Sequence, residues 1–148
     1  MKTKQPYELE LCFKRPLHDE MVHISSIHDA KAFVKLSIDS GLLNHKEYFW
    51  VIPLTRSHRV LGMRMLSSGN TQQTIVSIKE LAQIVILANA CACIIVHNHP
   101  SGNLKPSECD KSLTRRAQDI LKLLNIELLD HLILTQEGCF SFSESNLM

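Results

Sequence analysis

The run Ala92-Cys93-Ile94-Ile95-Val96-His97-Asn98-His99-Pro100-Ser101-Gly102-Asn103-Leu104-Lys105-Pro106-Ser107-Glu108-Cys109-Asp110 passes from an apolar segment through a polar turn into a capped helix. Ala92 to Val96 is five apolar residues in succession, which predicts a central strand buried on both faces and ending at His97. The loop from Asn98 to Lys105 holds Pro100, Ser101, Gly102 and Asn103, all turn residues. Pro106-Ser107 then opens a helix with Leu113, Ala117, Ile120, Leu121 and Leu124 on one face. In open α/β sheets the carboxyl ends of strands are where ligands bind, and His97 and His99 stand at such an end.

The chemistry of this run follows from its donors. Two histidines at i, i+2 of extended chain project to the same side. Asp110 falls in the first turn of the following helix, from which its carboxylate can reach back to both imidazoles. Two nitrogens and one oxygen suit zinc, with the fourth position left to water, as in a catalytic site. His-x-His alone is a weak signal, and Ser107 with Asp110 also reads as a helix cap favoured by the helix dipole. The two readings are compatible, because capping fixes the turn that presents Asp110. A general base must come from outside the ligand set. Glu47 is the best placed, at the edge of the apolar strand YFWVIPL (Tyr48–Leu54), with Glu80, Glu108 and Asp130 as alternatives.

Outward from the run, helices and strands alternate. An edge strand is expected over residues 7–13. A helix capped by Ser25 or Ser26 follows, with Ala30, Phe33, Val34, Leu36 and Ile38 apolar. Tyr48–Leu54 forms a buried strand, with fraying or a bulge at Pro53. Val60–Leu66 returns from a turn at residues 56–59. Ser77 opens a second helix, with Glu80 three residues on. Ile126–Leu134 and Cys139–Phe142 are the last strands. The pattern predicts one α/β domain with helices on both faces of its sheet.

The composition fits this. The 148 residues are 45% apolar and 21% charged, enough for one domain with a real core. Sixteen Lys and Arg against 15 Asp and Glu leave a net charge of +1, which argues against nucleic-acid binding by bulk charge. No apolar signal core or bilayer-length run is present, so no membrane association is expected. Cys12, Cys91, Cys93, Cys109 and Cys139 form no C-x-x-C pair and read as reduced thiols of a cytoplasmic protein. Cys91, Cys93 and Cys109 are taken as packing residues, and His131 as a partly buried histidine paired with a neighbour. Lys111, Arg115, Arg116 and Lys122 read as a solvated helix face interleaved with Glu108 and Asp119.

His-x-His, seven residues, Ser, two residues, Asp resembles the signature of the JAB/MPN (JAMM) zinc metallopeptidase domain. HNHPSGNLKPSECD (His97–Asp110), LLDHLIL (Leu128–Leu134) and Ser68-Gly69 ahead of the Ser77 helix are similar to the bacterial RadC branch. The resemblance covers about residues 40–143 and implies a three-layer α/β/α domain with a mixed sheet. It implies residues 41–148 as the metal-binding domain, with an N-terminal strand and helix (1–40) packed on it. His97, His99 and Asp110 would bind Zn2+, Glu47 would act as general acid/base, and Ser107 would help hold the oxyanion. The implied activity is hydrolysis of peptide or isopeptide bonds in a peptide or protein substrate. RadC-like proteins also carry a DNA-repair label, which makes a nucleic-acid-associated module the alternative. The first 40 residues show no helix-hairpin-helix motif of the kind relatives carry, so a catalytic domain on its own is expected. A zinc deaminase is excluded: His99 stands where the H-x-E signature needs Glu, and Ser107 and Asp110 where it needs two thiolates, although the spacing suggests a related, cytidine-deaminase-like layout. No feature sets the oligomeric state, and a homo-oligomer is compatible with the sequence.

Overall fold

The computed structural model describes Glu10, residues 12–68 and residues 76–148. The strand expected over residues 7–13 falls mainly outside these residues, and Cys12 and Phe13 lie in irregular chain. Gly69 of the Ser68-Gly69 pair also lies outside them.

Ser26, rather than Ser25, caps the first helix, α1 (Ile27–Ser37), by accepting from the Asp29 N–H. The strands are β1 (Tyr48–Leu54), β2 (Arg64–Ser68), β3 (Ala92–Asn98), β4 (Glu127–Leu134) and β5 (Cys139–Ser141). The other two α-helices among the described residues are α2 (Ile78–Leu87), between β2 and β3, and α3 (Glu108–Leu123), between β3 and β4. The sheet order is β2-β1-β3-β4-β5. Only β3 and β4 run parallel, because α3 is the crossover between them; the other neighbours are antiparallel.

Period-two alternation splits the core in two. Phe49 and Val51 of β1 and Cys93 and Ile95 of β3 pack with Leu81 and Val85 of α2 and Ala117 and Leu121 of α3. Trp50, Ile52 and Leu54, with Ala92, Ile94 and Val96, pack with Ala30 and Val34 of α1. The result is the expected three-layer α/β/α arrangement around a mixed sheet. The same alternation sends His97 to the face that α3 covers and Asn98 to the face of α1.

One irregularity decides the site. Cys93 pairs with Leu128 in β4, but Ile94 pairs with Asp130, so the register shifts by one residue at Leu129. A one-residue slip reverses the faces of everything after it. His131, opposite Ile95, thereby shares the α3 face with His97. Without the bulge it would face α1.

Two strand boundaries differ from the sequence expectation. β2 begins at Arg64, not Val60. Val60 makes only an isolated bridge to Leu54, and the Leu61 N–H donates to the Pro53 carbonyl. Pro53 has no N–H to offer on that side, so ladder pairing with β2 ends at Val51, while β1 continues along β3 to Leu54. β3 also runs one residue further, through Asn98.

Among the described residues no helix is long and apolar enough to cross a membrane. The cysteines named in the sequence are all free. Burial pushes the Cys93 thiol up to about 12, so it is a neutral core group. Cys91 is only half-buried.

Ile95 is fully buried at the centre of the sheet on the α3 face. Ile95→Ala is expected to lower unfolding free energy by about 2–5 kcal/mol, read by urea denaturation as a lower midpoint at unchanged slope.

Candidate metal centre

Asp110 is the third residue of α3, and a reciprocal cap fixes it there. The Ser107 Oγ accepts from the Asp110 N–H at 3.1 Å, and the Ser107 N–H donates to Asp110 Oδ2 at 2.7 Å. The cap and the candidate ligand are therefore one device, as the sequence allowed. The carboxylate faces both imidazoles: Oδ1 lies 3.3 Å from His97 Nε2 and Oδ2 lies 3.4 Å from His99 Nε2. The two Nε2 atoms are 3.0 Å apart. Glu47, His97, His99 and Asp110 each bring a ligand atom to within 4.8 Å of the others.

The hydrogen-bond network assigns the tautomers. The Thr114 hydroxyl donates its one proton to the Asp110 carbonyl at 2.7 Å, the i−4 bond of a helical threonine. It must therefore accept from the His131 Nδ1–H, also at 2.7 Å. His131 Nε2 is then bare and accepts from the His97 Nδ1–H at 2.7 Å. That leaves His97 Nε2 as a lone pair aimed at Asp110. His99 reaches the same state separately, because its Nδ1–H donates to the Asn103 carbonyl at 2.6 Å. Gly102, at φ 80°, makes the reversal that brings the Asn103 carbonyl round.

Four acceptors thus converge without a donor among them. That arrangement is repulsive unless a cation lies between them. A tetrahedral zinc with bonds near 2.0–2.1 Å separates its ligands by about 3.3 Å. The separations of 3.0, 3.3 and 3.4 Å among His97, His99 and Asp110 match that spacing. The residues present fit the ion.

The titrations follow from the same crowding. Burial opposes ionisation of Asp110, but the His97 and His99 rings set against the carboxylate outweigh it and hold the carboxyl well below the usual range. The Asp110 carboxylate against its ring raises His99, against its partial burial, and the Glu47 charge adds to the rise. His131 is wholly buried, and desolvation holds it well below the ordinary histidine range. It stays neutral, as the proton chain requires. Phe49 lies parallel to His97 at 6.1 Å between ring centres, and Phe142 stacks on His131 at 4.5 Å.

A cavity of about 250 Å3 opens beside these groups, lined by Glu47, Phe49, His97, Asp110, Cys109 and Arg116 among others. Cys109 is exposed at this cavity and is not a packing residue. Arg116 also lines it rather than only facing solvent, whereas Lys111 pairs with Glu108 at 2.7 Å. Of the alternative bases, Glu108 is tied to Lys111 and exposed. Asp130 is buried in bonds to Ser141, Ser143 and His131. Only Glu47 joins the cluster among the described residues. Ser107 is exposed at the helix start, its lone pair engaged by the cap.

His131 is a deeper participant than its sequence suggested, and Thr114 was not singled out at all. Its only signal was its position one helical turn after Asp110.

An α/β/α sandwich with a His-x-His strand end and an aspartate on the next helix is the architecture of a JAB-type domain with a cluster that could hold a metal ion. The chain belongs to the RadC-like JAB domain family, whose model matches residues 24–147. It is 36% identical over 136 residues to the UPF0758 protein NTHI1125 of Haemophilus influenzae, covering 91% of this chain and 61% of that protein. It is 33% identical over 135 residues to a UPF0758 protein of Flavobacterium johnsoniae, covering 90% of this chain and 58% of that protein. The UPF0758 protein YkfG of Escherichia coli is 33% identical over 134 residues, with 90% and 83% covered. The chain thus spans about three fifths of the length of the first two relatives.

Two outcomes are expected. His131→Phe keeps the ring stacking but removes the acceptor for His97 Nδ1–H. Zinc affinity should fall about 10–100-fold in a chelator-competition titration. The second concerns pH. His99 is raised above its unfolded value of 6.5. In metal-free protein its stabilisation is therefore full below that value and is lost as pH rises through the raised one. Zinc competes with the same proton, so zinc-dependent stabilisation should grow with pH over the same range. Thermal melts with and without zinc, from about pH 5 to about pH 8, should show the Tm gap widening.

Proposed function

We propose that the chain is a zinc-dependent hydrolase of peptide or isopeptide bonds. The observation that carries this reading is the donor-free convergence of His97 Nε2, His99 Nε2 and the Asp110 carboxylate beside a free-standing carboxylate, Glu47, at an open cavity. His97, His99 and Asp110 hold the ion; when bound, it supplies Lewis acidity toward a carbonyl oxygen and acidifies water. Three protein donors rather than four are the complement that a catalytic, not a structural, zinc site would use.

Glu47 then has the work of proton transfer. Its carboxylate takes a proton from the attacking water and returns it to the departing amine nitrogen, so that one water and one amide give a carboxylic acid and an amine. Ser107 uses an oxygen lone pair for the helix cap, which leaves its own O–H proton available to the oxyanion of the tetrahedral species. Family membership and the rows of acceptors support a hydrolase. The substrate is a peptide or protein segment whose carbonyl enters the cavity beside Phe49 and Arg116.

Glu47→Gln is expected to retain stoichiometric zinc by metal analysis and to lose amide hydrolysis by about 10²–10⁴-fold. Activity of that variant near the wild-type rate would remove Glu47 as the base. Equal metal content in wild type and a His97→Ala, His99→Ala double variant would remove the centre itself.

A further inference from the structure

Asn98 separates the two histidines and is completely buried, at 0% exposure. Strand alternation turns it away from His97 toward the α1 face. All three of its side-chain hydrogen bonds go to the backbone of one segment. Oδ1 accepts from the Tyr48 N–H at 2.7 Å. Nδ2 donates to the Leu43 and Lys46 carbonyls, each at 2.9 Å. These backbone groups flank Glu47 on both sides.

β2 pairs with Tyr48 on one side, but the β3 ladder does not reach that far on the other. Backbone register between β1 and β3 begins at Phe49 opposite His97. Beyond that pair, toward Glu47, the tie from β3 to the chain is the Asn98 amide. We propose that Asn98 is a positioning residue for Glu47. It clamps the turn before β1 so that the carboxylate stands over the ligands carried by the same tripeptide. The proposal rests on the reading of Glu47 as general base.

The side chain suits the task. Two carbonyls and one N–H must be met by two donors and one acceptor from a neutral, short group, and the asparagine amide is that group. Aspartate would set a lone pair against the two carbonyls, and leucine would leave three buried backbone groups unpaired. A general base must stand within hydrogen-bond reach of the proton it takes, so freedom in this turn costs rate rather than binding. One tripeptide, His97-Asn98-His99, then sets both sides of the reaction: ligands on one face of the strand, base tether on the other.

The test uses the zinc-loaded full chain with Asn98→Ala, and with Asn98→Ser should the alanine variant not fold. Zinc should stay stoichiometric and KM near wild type, while kcat falls about 10²-fold. In a Glu47→Gln background the same substitution should cost no further rate, because there is no base left to misplace. Amide exchange at Tyr48 should quicken while Val51 to Leu54 stay protected. Loss of zinc, an equal fall of kcat in both backgrounds, or unchanged exchange at Tyr48 would each overturn the proposal. The exchange result does not depend on hydrolysis. A wild-type protein that binds zinc but cleaves no amide would sink the hydrolase reading, and the Tyr48 exchange would still decide whether Asn98 holds the turn.

Discussion

Two bare imidazole nitrogens 3.0 Å apart, with a buried carboxylate against both, repel one another. The Ser107 N–H meets Asp110 Oδ2, but no donor of the protein lies between the carboxylate and the two imidazole nitrogens among the described residues. Instead the protein spends its local structure on keeping the acceptors together: the end of a doubly buried strand, a reciprocal helix cap, and a proton chain through Thr114 and His131 that keeps His97 Nε2 unprotonated. A cation resolves all of these strains at once. The same carboxylate raises His99.

The surrounding fold supplies the rigidity this needs. β3 sits between β1 and β4 with apolar packing on both faces, so His97 leaves the sheet from its central, doubly covered strand. α3 leaves β3 through a short, internally bonded turn and crosses over to β4. That crossover places Asp110 and Thr114 over the same sheet face as His97. The Leu129 bulge completes the arrangement by bringing His131 to that face. Outer-shell partners of this kind tune a metal site nearly as much as its ligands do.

The most legible features were those that depend on near neighbours in the chain. Five apolar residues before His97, the turn residues after it and the Ser107 cap could be read directly, and with them the meeting of His97, His99 and Asp110. Glu47 was legible only as an acidic residue at a strand edge, with other carboxylates as rivals, because its nearness to His99 comes from pairing between strands distant in sequence. His131 was harder still. Its face is set by a one-residue register shift, and nothing in LLDHLIL marks where a strand will bulge. The late start of β2 has a similar cause: Pro53 has no N–H for a ladder, and only its carbonyl is met in the tertiary structure, by the Leu61 N–H.

By itself, then, the sequence determined the strand-turn-helix unit, the types of donor side chain it carries and their common side. Those follow from backbone periodicity and capping, which act over a few residues. The tertiary structure alone decided which carboxylate joins the cluster, which histidine supports it and which tautomers result. Those depend on strand pairing, register and helix placement, where a shift of one residue exchanges the face that meets α3 for the face that meets α1.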